Sequence, residues 1–218
     1  MKLKTKIILL LLCLFIGIFS TKVNATDEPS YEYWNQLNYY GLSGQCYVVA
    51  EAKLLYAAGI NRNSDFNPSK WWEYKNEHGV DLIGYASEQG KTLNYIGTTT
   101  TIDENSIWEN ICNGYFTIVQ LSKGPGDEHW VLVDNKKSKE NEIWVDESGA
   151  HYDENYYYCG GNGPRTLESI KSLSGRKLTG RAVIYYAPFT LTVNVNPNGK
   201  SQLSWNAIDG ATKYVIAR

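Results

Sequence analysis

The sequence predicts an α+β domain, a helical layer packed on an antiparallel sheet, on three observations. Apolar faces at helical spacing fill the first half of the chain, and short strand-like runs fill the second. A length of 218 residues suits one such domain with a small extension. The composition, 43% hydrophobic and 20% charged, is that of an ordinary globular protein.

Residues 1–25 have the pattern of a secretory signal peptide. Lys2, Lys4 and Lys6 precede an apolar run over 7–19, and Val23, Asn24 and Ala25 offer a small-residue cleavage site. The run is short for a spanning helix, so the expectation is export without a retained membrane segment. Cleavage removes four of the 21 basic residues and none of the 23 acids, leaving 17 basic residues and a net charge of −6. Such a balance gives no support to nucleic-acid binding.

The first strong helix is expected over 45–58. Val48, Ala52 and Leu55, widened by Val49, Ala50, Leu54 and Ala57, form a broad apolar face, and Gly59 marks the end. Ser43 is the candidate N-cap, which places Cys46 in the first turn. Further helices are expected over 69–77, stopping at His78 and Gly79, over 88–93, and from a cap at Asp103 through Ile107, Trp108 and Ile111 to Asn113 and Gly114. Strands follow over 116–121, 129–133 and 142–146 as a meander, separated by turn-rich segments 122–128 and 134–141. A helix over 167–173 precedes a strand over 182–187. After Pro188 the texture changes to short strands near 191–195, 203–205 and 214–216.

Cys13 leaves with the signal, so Cys46, Cys112 and Cys159 remain. Cys112 and Cys159 either pair or stay reduced. No close Cys/His ligand pair suggests zinc, and the segment after Asp134 lacks the alternating acids and central Gly of a calcium loop. The expected chemistry therefore uses neither metal nor organic cofactor.

Cys46 follows a Gly-rich turn and opens a buried helix, where unpaired amides and the helix dipole favour a thiolate. His129 begins a strand directly after a polar loop. With the following hairpin centred near residue 138, Asp146 falls opposite or diagonal to His129, within reach to orient its ring. A Cys at a helix start, a His on a later strand and an acid one hairpin further on form a nucleophile, base and orienting group.

In that order and spacing, residues 31–188 resemble the papain-like cysteine peptidases, most closely the small bacterial branch related to the bacteriocin-leader (double-glycine) peptidases. The matching stretches are 44–55, 113–120, 129–133 and 144–146. The resemblance implies a papain-like fold over 26–188, with Cys46 as nucleophile, His129 as base, Asp146 as orienting residue, and a protein or peptide substrate, including cell-wall peptide. The family places an oxyanion-stabilising Gln several residues before the Cys. Here Gln36 stands ten residues upstream and Gln45 is adjacent; Gln36 is the preferred donor, together with the backbone N–H of Cys46.

Residues 189–218 resemble the opening of a fibronectin type III domain, through Gly199, Leu203, Trp205, Gly210, Ala211, Tyr214 and Ile216, and cover only its first third. Two other readings of the chain are a cell-wall amidase or endopeptidase of the CHAP kind, which Gly44, Gln45 and Cys46 also resemble, and an inactive binding or adhesion module. His78 reads as a helix-end residue and His151 as part of an exposed loop. Trp71, Trp72 and Tyr156 to Tyr158 read as packing or rim aromatics.

Overall fold

The computed structural model describes residues 31, 34, 42, 44–147 and 163–188, together with the backbone of 191–195 and 201–205. The signal segment, Gln36, Ser43, His151, Tyr156 to Tyr158, Cys159 and the chain after 205 lie outside the described residues. Five helices and two antiparallel sheets make up the described structure, a mixed α+β architecture.

The helices are α1 (Cys46–Ala57), α2 (Pro68–His78), α3 (Leu82–Glu88), α4 (Glu104–Cys112) and α5 (Leu167–Ser174). Local chemistry sets their ends. Gly59, at φ 70°, closes α1, with Gly59 N–H donating to the Tyr56 carbonyl and Ile60 N–H to that of Leu55, a pairing that satisfies orphan carbonyls in the last turn. Side chains of Asn67, Asp81, Asp103 and Thr166 accept backbone N–H bonds at the starts of α2 to α5. The third helix differs from expectation: it occupies 82–88 rather than 88–93, because Asp81 supplies the cap and Gly90 turns the chain at φ 65°.

The main sheet runs in the order β1-β6-β2-β3-β4-β5, with every neighbouring pair antiparallel. Its strands are β1 (Asn94–Thr99), β2 (Tyr115–Ser122), β3 (His129–Val133), β4 (Trp144–Glu147), β5 (Gly163–Thr166) and β6 (Lys177–Tyr186). The expected strands over 116–121, 129–133, 142–146 and 182–187 all correspond to members of this sheet, whereas β1 and β5, its two edges, were not expected. Strands β7 (Leu191–Val195) and β8 (Ser201–Trp205) pair as a separate two-stranded sheet.

Alternation along the strands sends side chains to two faces, each covered by helices. Phe116, Ile118, Leu132, Val183 and Tyr185 pack with α1, Trp71 of α2 and Leu82 and Tyr85 of α3. Val119, Leu121, Val131, Val133 and Val145 face Ile107 of α4 and Leu167 and Ile170 of α5. The sheet is thus sandwiched, where the sequence suggested a helical layer on one side. Tyr31 packs at a tilt and Trp34 edge-on against Tyr56 at the end of α1, so the core reaches back beyond the helix.

Helix α1 is the buried centre of its layer, with only Tyr47 among its residues escaping full burial. Two ionisable side chains go down with it, and both find partners. The Glu51 carboxylate accepts from Trp71 Nε1 at 2.9 Å and from Lys75 Nζ at 2.8 and 3.0 Å, tying α1 to α2. Burial pushes the Glu51 carboxyl up, and the Lys75 charge works against that shift.

Gly180 lets the loop after β1 approach β6. It sits at φ 90°, and a Cβ there would lie 2.5 Å from the Thr100 carbonyl oxygen, while its own carbonyl accepts from Ile102 N–H at 2.8 Å. Gly180→Ala should therefore destabilise by roughly 1–3 kcal/mol in urea titration. Gly114→Ala, with a similar φ of 73° but open space around the new Cβ, should cost only the backbone share, about 1–2 kcal/mol.

Candidate active site

Cys46 is the first residue of α1, preceded by the half-buried Gln45 at the N-cap position, whose side chain makes no capping bond. The expected Ser43 cap is therefore replaced by Gln45. The first-turn amides of a helix lack intrahelical partners, so the sulfur stands at the positive end of the dipole. Trp130 N–H donates to Cys46 Sγ at 3.4 Å, which ties the helix start to β3.

His129 is the first residue of β3 and only 1% exposed. Its Nε2–H donates to Glu147 Oε1 at 2.5 Å. The Cys46 side chain lies close enough to the ring for each to shift the other's titration, and with Nε2 committed to Glu147, Nδ1 is the nitrogen available to sulfur. Cys, His and a carboxylate thus lie in series.

The carboxylate is Glu147, not the expected Asp146. Leu132 pairs with Asp146 and Val133 with Val145, so the hairpin is centred on residue 139 and not near 138. In that register odd-numbered residues of both strands share a face, which groups Glu147 with His129 as diagonal neighbours and sends Asp146 to the side of Leu132. Asp146 is fully buried. Its main chain also takes part, for Lys53 Nζ donates to the Asp146 carbonyl at 3.1 Å and to the Glu147 carbonyl at 3.5 Å.

Lys53 comes from α1, two helical turns beyond Cys46, and is itself fully buried. One helix therefore carries the sulfur and also grips the strand that presents the carboxylate. A second buried cation fixes the approach to His129: Arg176 donates from Nε and Nη2 to Asp127 at 2.9 and 2.7 Å, and Asp127 further accepts from Lys123 N–H. This bidentate pair pins the β2–β3 loop two residues before His129. The sequence signal for Lys53 was a basic residue inside an otherwise apolar helix; Asp127 and Arg176 carried no local signal.

The electrostatics follow from this packing. Burial acts to raise the Cys46 thiol pKa, and is outweighed by the hydrogen bond and charge of His129 together with the amides of Trp130 and Tyr47, so the net shift is downward. Burial acts to lower that of His129, but the Glu147 charge and the bonds to Cys46 and Glu147 carry it up to about 9. Both shifts act in the same sense, favouring thiolate and imidazolium over what the isolated groups would show.

Compared with known protein families and with curated proteins, the chain matches none. The site is therefore read from its own geometry. Among the described residues no group of three His, Cys, Asp or Glu side chains is placed to hold a metal ion. Cys112, at the end of α4, carries an exposed free thiol remote in sequence from this series. His78 is a helix-end residue, its Nδ1 beside the Tyr74 carbonyl. Trp71 is core and Trp72 packs against it.

Replacing Glu147 should affect the pair more than replacing Asp146. Glu147→Gln is expected to bring the His129 pKa down from about 9 and to raise the midpoint of Cys46 alkylation, read by imidazole NMR titration and by iodoacetamide rates against pH. Asp146→Asn should shift both less; a larger shift from Asp146→Asn would return the orienting role to Asp146.

Acid stability gives a separate check on the loop. Arg176 holds the Asp127 carboxyl down at about 2 from its ordinary 3.8, a depressed folded-state value, so the stabilisation is present above pH 3.8 and lost as pH falls through about 2. Asp127→Asn should remove about 2 kcal/mol at neutral pH, and its deficit against the parent should shrink over that acid window.

Proposed function

We propose that the chain is a cysteine peptidase of papain-like design, hydrolysing peptide bonds through Cys46, His129 and Glu147. The observation that carries the reading is the Cys46 sulfur at a helix N-terminus, tied to β3 by the Trp130 amide and electrostatically coupled to a buried His129 whose Nε2 is committed to Glu147. Few structural roles call for a buried thiol, imidazole and carboxylate in series, whereas nucleophilic catalysis requires that order. The resemblance of residues 31–188 to the papain-like family supports the same conclusion, and the signal-like N-terminus supports export.

The Cys46 thiolate attacks the scissile carbonyl carbon, and the carbonyl π electrons move to oxygen. The backbone N–H of Cys46, at the helix start where amides lack intrahelical partners, serves as oxyanion donor, with Gln45 or Gln36 as a second. The imidazolium gives its proton to the leaving amine as the C–N bond breaks, leaving a thioester and a neutral ring. His129 then removes a proton from water, whose oxygen attacks the thioester, and the released thiolate regains its imidazolium partner. Glu147 holds the ring and balances its charge through both steps.

Cys46→Ala and His129→Ala should each reduce hydrolysis of casein or fluorogenic peptides by roughly three to six orders of magnitude. Alkylation of Cys46 by iodoacetamide should outpace that of a free cysteine at pH 6. Hydrolysis persisting in purified Cys46→Ala, or an ordinary Cys46 reaction rate, would refute the proposal, the second result leaving a binding module on this scaffold. Cleavage of peptidoglycan but not of casein would instead favour the cell-wall amidase.

The pH profile has a predicted shape. His129 must be protonated to give up its proton, so kcat/KM should fall as pH rises through about 9, and it should fall again on the acid side where Cys46 takes up a proton. The raised His129 pKa also means that the pair's contribution to folding is complete below pH 6.5 and is lost as pH rises through about 9.

A further inference from the structure

A pocket of ≈ 470 Å³ adjoins the nucleophile, lined by Tyr47, Thr98, Thr99, Thr100, Trp130 and Arg181, among others. Two of these residues directly follow Cys46 and His129 in the chain. Their rings meet edge to face with centroids 5.3 Å apart, forming one wall of the pocket. Because Trp130 N–H also donates to Cys46 Sγ, the wall and the nucleophile are fixed to each other. The volume has room for a long side chain together with neighbouring parts of a bound chain.

Among the described residues its one lining charge is Arg181, whose guanidinium lies over the Trp130 ring with the central carbon 5.8 Å from the centroid. That stacking orients the planar group and leaves its N–H edges open. Among the described residues its ion-pair partner is Glu128, at 3.9 Å, with both side chains more than half exposed. So loose and solvated a contact contributes little, and an incoming carboxylate can replace it with a bidentate pair. Opposite the arginine, the threonine run carries hydroxyls and main-chain groups along β1 and the loop after it, held close to β6 by the absence of a side chain at Gly180.

We propose that this pocket is a substrate subsite that seats an acidic side chain of a peptide, with Arg181 as the residue that determines that preference. The proposal rests on the cysteine-peptidase reading for its substrate class, and on the aromatic wall, the stacked guanidinium and the adjacency to Cys46 for its chemistry. A glutamate side chain is long enough to lie along the Tyr47–Trp130 wall with its carboxylate at Arg181, and the matching amide loses the charge-assisted pair.

Binding to the Cys46→Ala protein reads the pocket without turnover. Amidated peptides carrying a single Glu moved through successive positions, with Gln and Lys counterparts, would be titrated calorimetrically, beside a Gln peptide ending in a free carboxylate. One Glu position should tighten binding at least tenfold over Gln. That gain should disappear with Arg181→Gln, shrink with Arg181→Lys, and turn into a preference for Lys with Arg181→Glu. Equal binding of Glu and Gln peptides, a Glu preference that survives Arg181→Gln, or a gain found only with the free terminus would overturn the subsite. Cleavage assays on the unmodified site separate the two ideas: turnover without acid preference refutes the subsite alone, and acid-selective binding without any turnover refutes the peptidase alone.

Discussion

The buried ion pair between His129 and Glu147 is the constraint around which the rest of the molecule is arranged. Charges removed from water cost several kcal/mol each unless partners and hydrogen bonds replace the solvent. Here the compensation comes from every side: Cys46 from the start of α1, Glu147 from the end of β4, and behind them Lys53 holding the two carbonyls of that strand. Remove the register of β3 against β4 and the pair separates. Without α1 packed on the sheet, both the sulfur and the lysine go with it. The hydrophobic faces of the sheet thus serve the polar centre by fixing where its three elements meet.

Much of the fold was legible because much of it is local. Asp103 and Gly79 end their helices through bonds that span four residues or fewer, and such signals survive in a single sequence. The strands that went unseen are the two edges. In β1 no residue is fully buried, so no apolar alternation marks it; β5 is four residues long and contains Pro164, which an edge tolerates but which argues against a strand on sequence grounds. The third helix lies earlier than the expected 88–93 because its apolar content, Leu82, Tyr85 and Ala86, precedes that segment.

The carboxylate that meets His129 was expected one position too early. Asp146 and Glu147 are adjacent acids, and only the parity of a hairpin distinguishes them. That parity depends on a connection whose geometry no pattern of polarity reveals: Asp134 Oδ1 accepts from the amides of Lys136 and Lys137, Lys139 bridges to Glu142, and Asn141 takes φ 67°. Lys53 shows the complementary blind spot. A lysine within an apolar helix reads as an interruption of the face, and its purpose emerges only when a strand ninety residues later brings two carbonyls above it.

Because Cys46 and Lys53 ride on the same helix, the sulfur has its special character only in the assembled chain. Before α1 seats itself against β3, the thiol has no imidazole, no Trp130 amide and no helix dipole beside it, and it titrates as any cysteine does. Chemical potency is thereby postponed until folding is complete, and a chain still being made or refolded carries a comparatively unreactive thiol at this position. A thiol that stays ordinary until then is also less open to stray oxidation while the chain is still unfolded.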